Sequence, residues 1–228
     1  MLWQDDDELF RLMKEKLFSA VLGDTLDKHE HRNQFLPPHI QPLREDMVVV
    51  GRVMTILNKD FDPIEVADSD PINQKPYGLL FESLDDLKPN EVYVATGGSP
   101  RYALWGGLMS TRAIYLKSAG VVLDGYLRDT KEILNLNFPA FSNGRYVPDQ
   151  AGRGKVIDFR IPIEIAGVYI QSGDIIYGDI DGVVIIPRAI EQSVIELSLE
   201  KVGNENLVKQ ALQKGMSTVD AFATYGTL

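Results

Sequence analysis

Short runs of valine, isoleucine and leucine recur along this chain, each too brief for a buried helix and most bounded by glycine, aspartate or proline. A fold assembled around β-strands follows. Residues 47–50, resuming through Gly51 as 53–57, and residues 92–95 have the β-branched content of buried strands. Residues 121–123 add another. Between them a helix is expected over 107–118, with Met109, Ala113 and Leu116 on one face and Gly120 near its end. Beyond Phe141 the pattern changes to strands at 156–159, 161–165, 168–170, 174–177 and 183–186. Gly173-Asp174 and Asp181-Gly182 separate them as turns, which predicts antiparallel pairing.

The ends read as helices. Leu9, Met13, Leu17 and Val21 form one stripe at a spacing of four, predicting an amphipathic helix over 7–22 that Gly23 ends. Asp24 can cap a further short helix. Pro37-Pro38 and Pro42 then impose an extended connection, because proline cannot continue a helix. Residues 58–75, rich in Asp, Asn and Pro, are expected to be a loop, and Gly97-Gly98-Ser99-Pro100 a turn. Pro187 closes the last strand before helices over 189–202 and 205–214, the second stopping at Gly215. With no linker, internal repeat or low-complexity tract, residues 1–228 read as a single α/β domain whose core is 47–187.

Composition removes several functions. A net charge of −10, from 33 acidic and 23 basic residues, repels phosphate backbones and argues against sequence-independent nucleic-acid binding. Without cysteine there is no disulfide, thiolate nucleophile or zinc–cysteine site, and a cytoplasmic location is expected. The opening Trp3-Gln4-Asp5-Asp6-Asp7-Glu8 has the wrong charge and polarity for a leader. No apolar run has membrane-spanning length, so no membrane partner is expected. The G-x-S-x-G elbow, the P-loop and a G-x-G-x-x-G after a strand are all missing, leaving a nucleotide cofactor without support.

Chemistry concentrates at Arg128-Asp129, just past the apolar run 121–123. A cation beside a hard oxygen ligand, after a strand, suits a small anionic substrate together with magnesium or manganese. The arginine would fork onto a substrate carboxylate. Gly106-Gly107-Leu108-Met109 opens the expected helix, where free backbone N–H groups can hold an anion. A second reading stands beside this one: Asp129 followed by Glu132 is also a capping-box pattern for a short helix. Asp124 reads as a turn residue, Asp179 and Asp181 as parts of a hairpin turn, and His29, His31 and His39 as surface residues. Lys117 is a weak candidate for a Schiff base.

Three segments carry a resemblance: residues 105–113 (WGGLMSTRA), residues 120–129 (GVVLDGYLRD), and Gly173-Asp174 through Asp179-x-Asp181-Gly182-Val183-Val184. Together they resemble the RraA-like family, which includes class II 4-hydroxy-4-methyl-2-oxoglutarate aldolases and the regulator of ribonuclease activity A. The resemblance implies a swivelling β/β/α fold, assembled as a homotrimer or a pair of trimers with sites between subunits. It implies Arg128 as the clamp on a 2-keto-acid carboxylate, Asp129 as the magnesium ligand, and residues 106–109 as backbone contacts to pyruvate. The implied activity is metal-dependent carbon–carbon cleavage, either retro-aldol or oxaloacetate decarboxylation. Many aldolases of the family carry an acidic residue where Gly107 stands, so decarboxylation is expected to be the easier activity to detect. Glu200 or Glu205 from a neighbouring subunit would be the substitute carboxylate. The alternative is a non-enzymatic regulator that docks on a ribonuclease or another protein; retention of Asp129 after Arg128 favours the enzyme.

Overall fold

A computed structural model describes residues 2–61 and 75–226; most of the loop expected over 58–75 lies outside them. The long strand β2 (Val49–Asp60) organises the main sheet. Alongside it β3 (Glu91–Thr96), β5 (Gly120–Leu123) and β7 (Ala140–Ser142) follow in turn, each parallel to the one before. The opposite edge of β2 serves two antiparallel partners. β11 (Ile175–Asp179) pairs with its first half and β8 (Gly154–Phe159) with its second. A register shift between Leu57 and Asn58 interrupts the second pairing, as a bulge does where a strand bends. β12 (Gly182–Ile186) forms a hairpin with β11, and β9 (Ile163–Ile165) with β10 (Val168–Ile170). The antiparallel pairing expected after Phe141 is therefore present.

The proline-rich connection joins the two ends of this sheet. Leu36 N–H donates to Val183 O at 2.9 Å and Ile185 N–H to Gln34 O at 2.8 Å, holding the connection on β12. A few residues later β1 (Gln41–Pro42) pairs antiparallel with β7 at the other end. The sheet is nearly closed as a result. Val49 and Val50, successive residues at the start of β2, point to opposite faces and into two cores. Val49, Val53 and Met54 join Tyr93, Val121, Trp105 and Phe141 in one, and Val50 joins the helical layer in the other.

That layer contains α1 (Asp6–Lys16), α2 (Ser19–Lys28) and α6 (Glu191–Gln213), followed by α7 (Thr218–Tyr225). Leu9, Met13, Leu17 and Val21 are all buried as the stripe predicts, yet the single helix expected over 7–22 is two. Leu17 is extended, and its carbonyl accepts the Tyr177 hydroxyl at 2.7 Å. Asp179 takes the Ser19 N–H at 2.8 Å and the Ser19 hydroxyl at 2.6 Å. Side chains on β11 thus capture the backbone groups of the break. Gly23 does not end α2 but lies within it, where an added Cβ would stand 3.0 Å from the Phe35 ring. The two helices expected after Pro187 are one, since α6 runs through Gly203 without a break. Among the described residues no helix is long and apolar enough to cross a membrane.

Candidate functional site

Off the main sheet, β4 (Ala103–Trp105) and β6 (Tyr126–Leu127) form a short parallel ribbon. Its ends deliver the two sequence candidates to one place. Trp105 fixes the geometry: its ring is 1% exposed, lies parallel to Phe138 with centroids 6.0 Å apart, and donates Nε1–H to Ser110 Oγ at 2.7 Å. The Trp105 carbonyl accepts the Arg128 N–H at 2.9 Å. Gly106-Gly107 and Arg128-Asp129 consequently leave the ribbon side by side. Gly125, in the turn before β6, allows the close approach of Leu104, whose Cδ1 would be 2.6 Å from an added Cβ.

After the short helix α3 (Leu80–Asp85) that precedes β3, two helices begin here, α4 (Gly107–Tyr115) and α5 (Thr130–Asn135). Asp129 precedes α5 in the left-handed conformation (φ 57°, ψ 34°), which aspartate tolerates better than most residues. Its side chain does not cap α5. Instead Oδ2 accepts the Gly107 N–H at 3.1 Å, placing the carboxylate at the positive end of the other helix. No hydrogen bond from the described residues reaches Oδ1. Nor does Glu132 close a capping box: its carboxylate lies over Gly107, with Oε2 2.1 Å from where a Cβ would be built. Gly106 is needed as well, because its Cβ would meet Asp129 Oδ2 at 2.7 Å.

Arg128 stands between two carboxylates. Its Nε is 3.9 Å from Asp129 Oδ2 and its Nη2 3.4 Å from Asp149 Oδ1. At those distances the contacts are ion pairs with little hydrogen-bond character, so the guanidinium fork keeps donors for a ligand. Asp149 is itself anchored, accepting the Gln150 N–H at 2.8 Å and the Tyr77 hydroxyl at 3.1 Å. The same hydrogen bond raises the Tyr77 phenol above its usual range, helped by partial burial and the Asp149 charge. On one chain this is an open shelf, with the Arg128 and Asp129 side chains 39% and 44% exposed.

The start of α4 retains donors too. Gly107 gives its N–H to Asp129 and Ser110 gives its own to the Gly106 carbonyl at 3.1 Å, leaving the Leu108 and Met109 N–H groups without partners among the described residues. Leu108 itself is 82% exposed. The other acids have structural work. Asp124 accepts from Thr96 at 2.8 Å and from Asn143 at 3.3 Å, and Asp179 holds the start of α2 and the Asp181 N–H of the hairpin turn. His29 contacts Ser193 at 3.2 Å, and Lys117 is exposed beyond α4. Glu200 and Glu205 lie on α6, Glu205 beside Lys201. Among the described residues no group of three or more histidine or acidic side chains is placed to hold a metal ion. Asp149 and Tyr77 carry no local motif and reach the shelf through the fold alone.

These features define a mixed α/β protein with a nearly closed sheet, flanking helices and an arginine–aspartate shelf at a helix start. The chain belongs to the RraA-like family, whose profile, described as Aldolase/RraA, matches residues 19–185. It is 30% identical over 206 residues to a putative 4-hydroxy-4-methyl-2-oxoglutarate aldolase of Halalkalibacterium halodurans, covering 90% of this chain and 89% of that one. A solved structure described as a novel cellulase from gut-associated microbes is 32% identical, with TM-score 0.79 over 90% of this chain and 88% of that one. Streptomyces coelicolor RraAS2, described as an unusual member of the RNase ES inhibitor RraA family, is 21% identical and shares the fold with TM-score 0.77, over 91% and 98% of the two chains.

Proposed function

We propose that this chain is a divalent-metal-dependent lyase that cleaves a carbon–carbon bond of a small 2-oxo acid to release pyruvate. One observation carries the reading: Arg128, with donors left on its fork, and Asp129, whose Oδ1 accepts no hydrogen bond among the described residues, sit against the Leu108 and Met109 amides, which have no partner among those residues. Asp129 fits magnesium or manganese, hard ions that accept a single carboxylate when water fills the remaining positions. When bound, the ion supplies a Lewis acid for the 2-oxo group. Arg128 grips the C1 carboxylate, and the amides of α4 steady the oxygen on which negative charge grows. Bond cleavage leaves its electron pair as the enolate of pyruvate, and protonation at C3 completes the product. A guanidinium between the acids selects an anionic substrate over the neutral sugar that paired glycosidase carboxylates flank.

The shelf is open on one chain, and a second copy, in a homotrimer or a dimer of trimers, would supply its missing wall. A regulator reading rests on a different feature, the outward Leu108 and Tyr115 of α4, 82% and 76% exposed, which would dock a ribonuclease or another protein partner. One experiment separates the two: pyruvate release from oxaloacetate and from 4-hydroxy-4-methyl-2-oxoglutarate, with magnesium and with chelator. Turnover that requires the ion is expected; no turnover under any condition, alongside inhibition of a ribonuclease, would establish the regulator. Within the enzyme reading, Asp149→Asn is expected to raise KM for oxaloacetate by about two- to fivefold with little change in kcat, the size of a half-exposed ion pair. A lowered KM would show that Asp149 competes with substrate for Arg128 instead of positioning it.

A further inference from the structure

Three carboxylates surround the shelf, and their engagements differ. Asp129 accepts the Gly107 N–H and faces Arg128. Asp149 has both oxygens occupied, by Arg128 and the Gln150 N–H on one and by Tyr77 on the other. The carboxylate of Glu132 accepts no hydrogen bond and pairs with no cation among the described residues, although it lies directly over Gly107. The absence of a Cβ at 107 makes room for it, since any side chain there would overlap Oε2 and Cδ, 2.1 Å and 2.4 Å from the Cβ position. Glu132 is exposed in the first turn of α5, so its oxygens are open to accept a hydrogen bond from a bound molecule.

We propose that Glu132 is the base that takes the C4-hydroxyl proton when this site cleaves a 4-hydroxy-2-oxo acid. The inference rests on the lyase reading above. The C4-hydroxyl proton passes to the Glu132 carboxylate, directly or through one water. The O–H electron pair becomes the second bond of a C4 carbonyl, the C3–C4 bond breaks, and its pair becomes the C2–C3 double bond of pyruvate enolate. Glu132 then returns the proton to C3, giving pyruvate and a second carbonyl compound. Oxaloacetate loses carbon dioxide with no hydroxyl proton to remove, so it does not use this group.

The test compares both substrates for wild type, Glu132→Gln, Gly107→Ala and the double variant. Glu132→Gln is expected to lower kcat on 4-hydroxy-4-methyl-2-oxoglutarate by about 100-fold, with a loss on oxaloacetate at least about tenfold smaller. Gly107→Ala displaces only the end of a flexible side chain, so the protein should fold, lose hydroxy-acid turnover similarly, and show no further loss in the double variant. Independently of turnover, the 13C resonance of the Glu132 carboxylate in metal-free protein should move in Gly107→Ala. An equal loss on both substrates or a stationary resonance would overturn the assignment. Wild-type turnover of oxaloacetate alone would overturn it too while leaving the lyase reading intact. No turnover of either substrate would overturn both.

Discussion

Asp129→Ala is expected to lower metal-dependent pyruvate release by about 10²–10³-fold, the loss typical of removing a group that stabilises charge only as it develops. Two effects combine. The carboxylate that would hold the ion disappears, and the Gly107 N–H at the start of α4 loses its acceptor. Alanine is also disfavoured in the left-handed conformation at 129, by roughly 1–2 kcal/mol, so stability must be followed beside activity. Asp129→Asn is the cleaner partner variant. Asparagine tolerates that backbone and retains one oxygen, but carries no charge for a hard cation. Both variants should lose activity while Asp129→Asn melts near wild type. Equal rates in wild type and variants, unaffected by chelator, would remove the metal from the mechanism.

Arg128→Ala should cost about 2–3 kcal/mol in kcat/KM, or roughly 30- to 150-fold, as expected for charge-assisted hydrogen bonds to a carboxylate. The side chain's partial exposure keeps the figure from the upper end seen at fully desolvated pairs. Arg128→Lys should recover only part of this, since an ammonium supplies charge without the planar fork. Steady-state kinetics on oxaloacetate would decide, and a loss of a few tenths of a kcal/mol would return Arg128 to the role of a solvated surface charge.

What could be read in advance followed the range of the forces involved. Arg128-Asp129 and Gly106-Gly107 are local pairs in strand-to-helix turns, and the β4–β6 ribbon places them together. The strands after Phe141 were legible because turn residues and β-branched runs are local signals. Helix continuity was not. The stripe from Leu9 to Val21 is buried throughout, but Tyr177 and Asp179, far away in sequence, decide that the backbone breaks at Leu17. The capping-box pattern misleads for a similar reason, because Asp129 finds the N-terminus of α4 before that of its own helix, and Glu132 falls into the space that Gly107 leaves. Asp149 and Tyr77 arrive from loops with no periodicity to announce them. Gly107 thereby changes meaning: on sequence it reads as an acid that is missing, and in the fold it is the room another acid needs.

The proline-rich strap has a consequence for assembly. Its residues pair with the outermost strands β12 and β7 from within the chain, so among the described residues both ends of the main sheet are already engaged where a neighbour's strand would have to extend them. In the homotrimer or dimer of trimers proposed above, copies would meet through side chains, face against face, as lids to one another's open shelves and not as added strands.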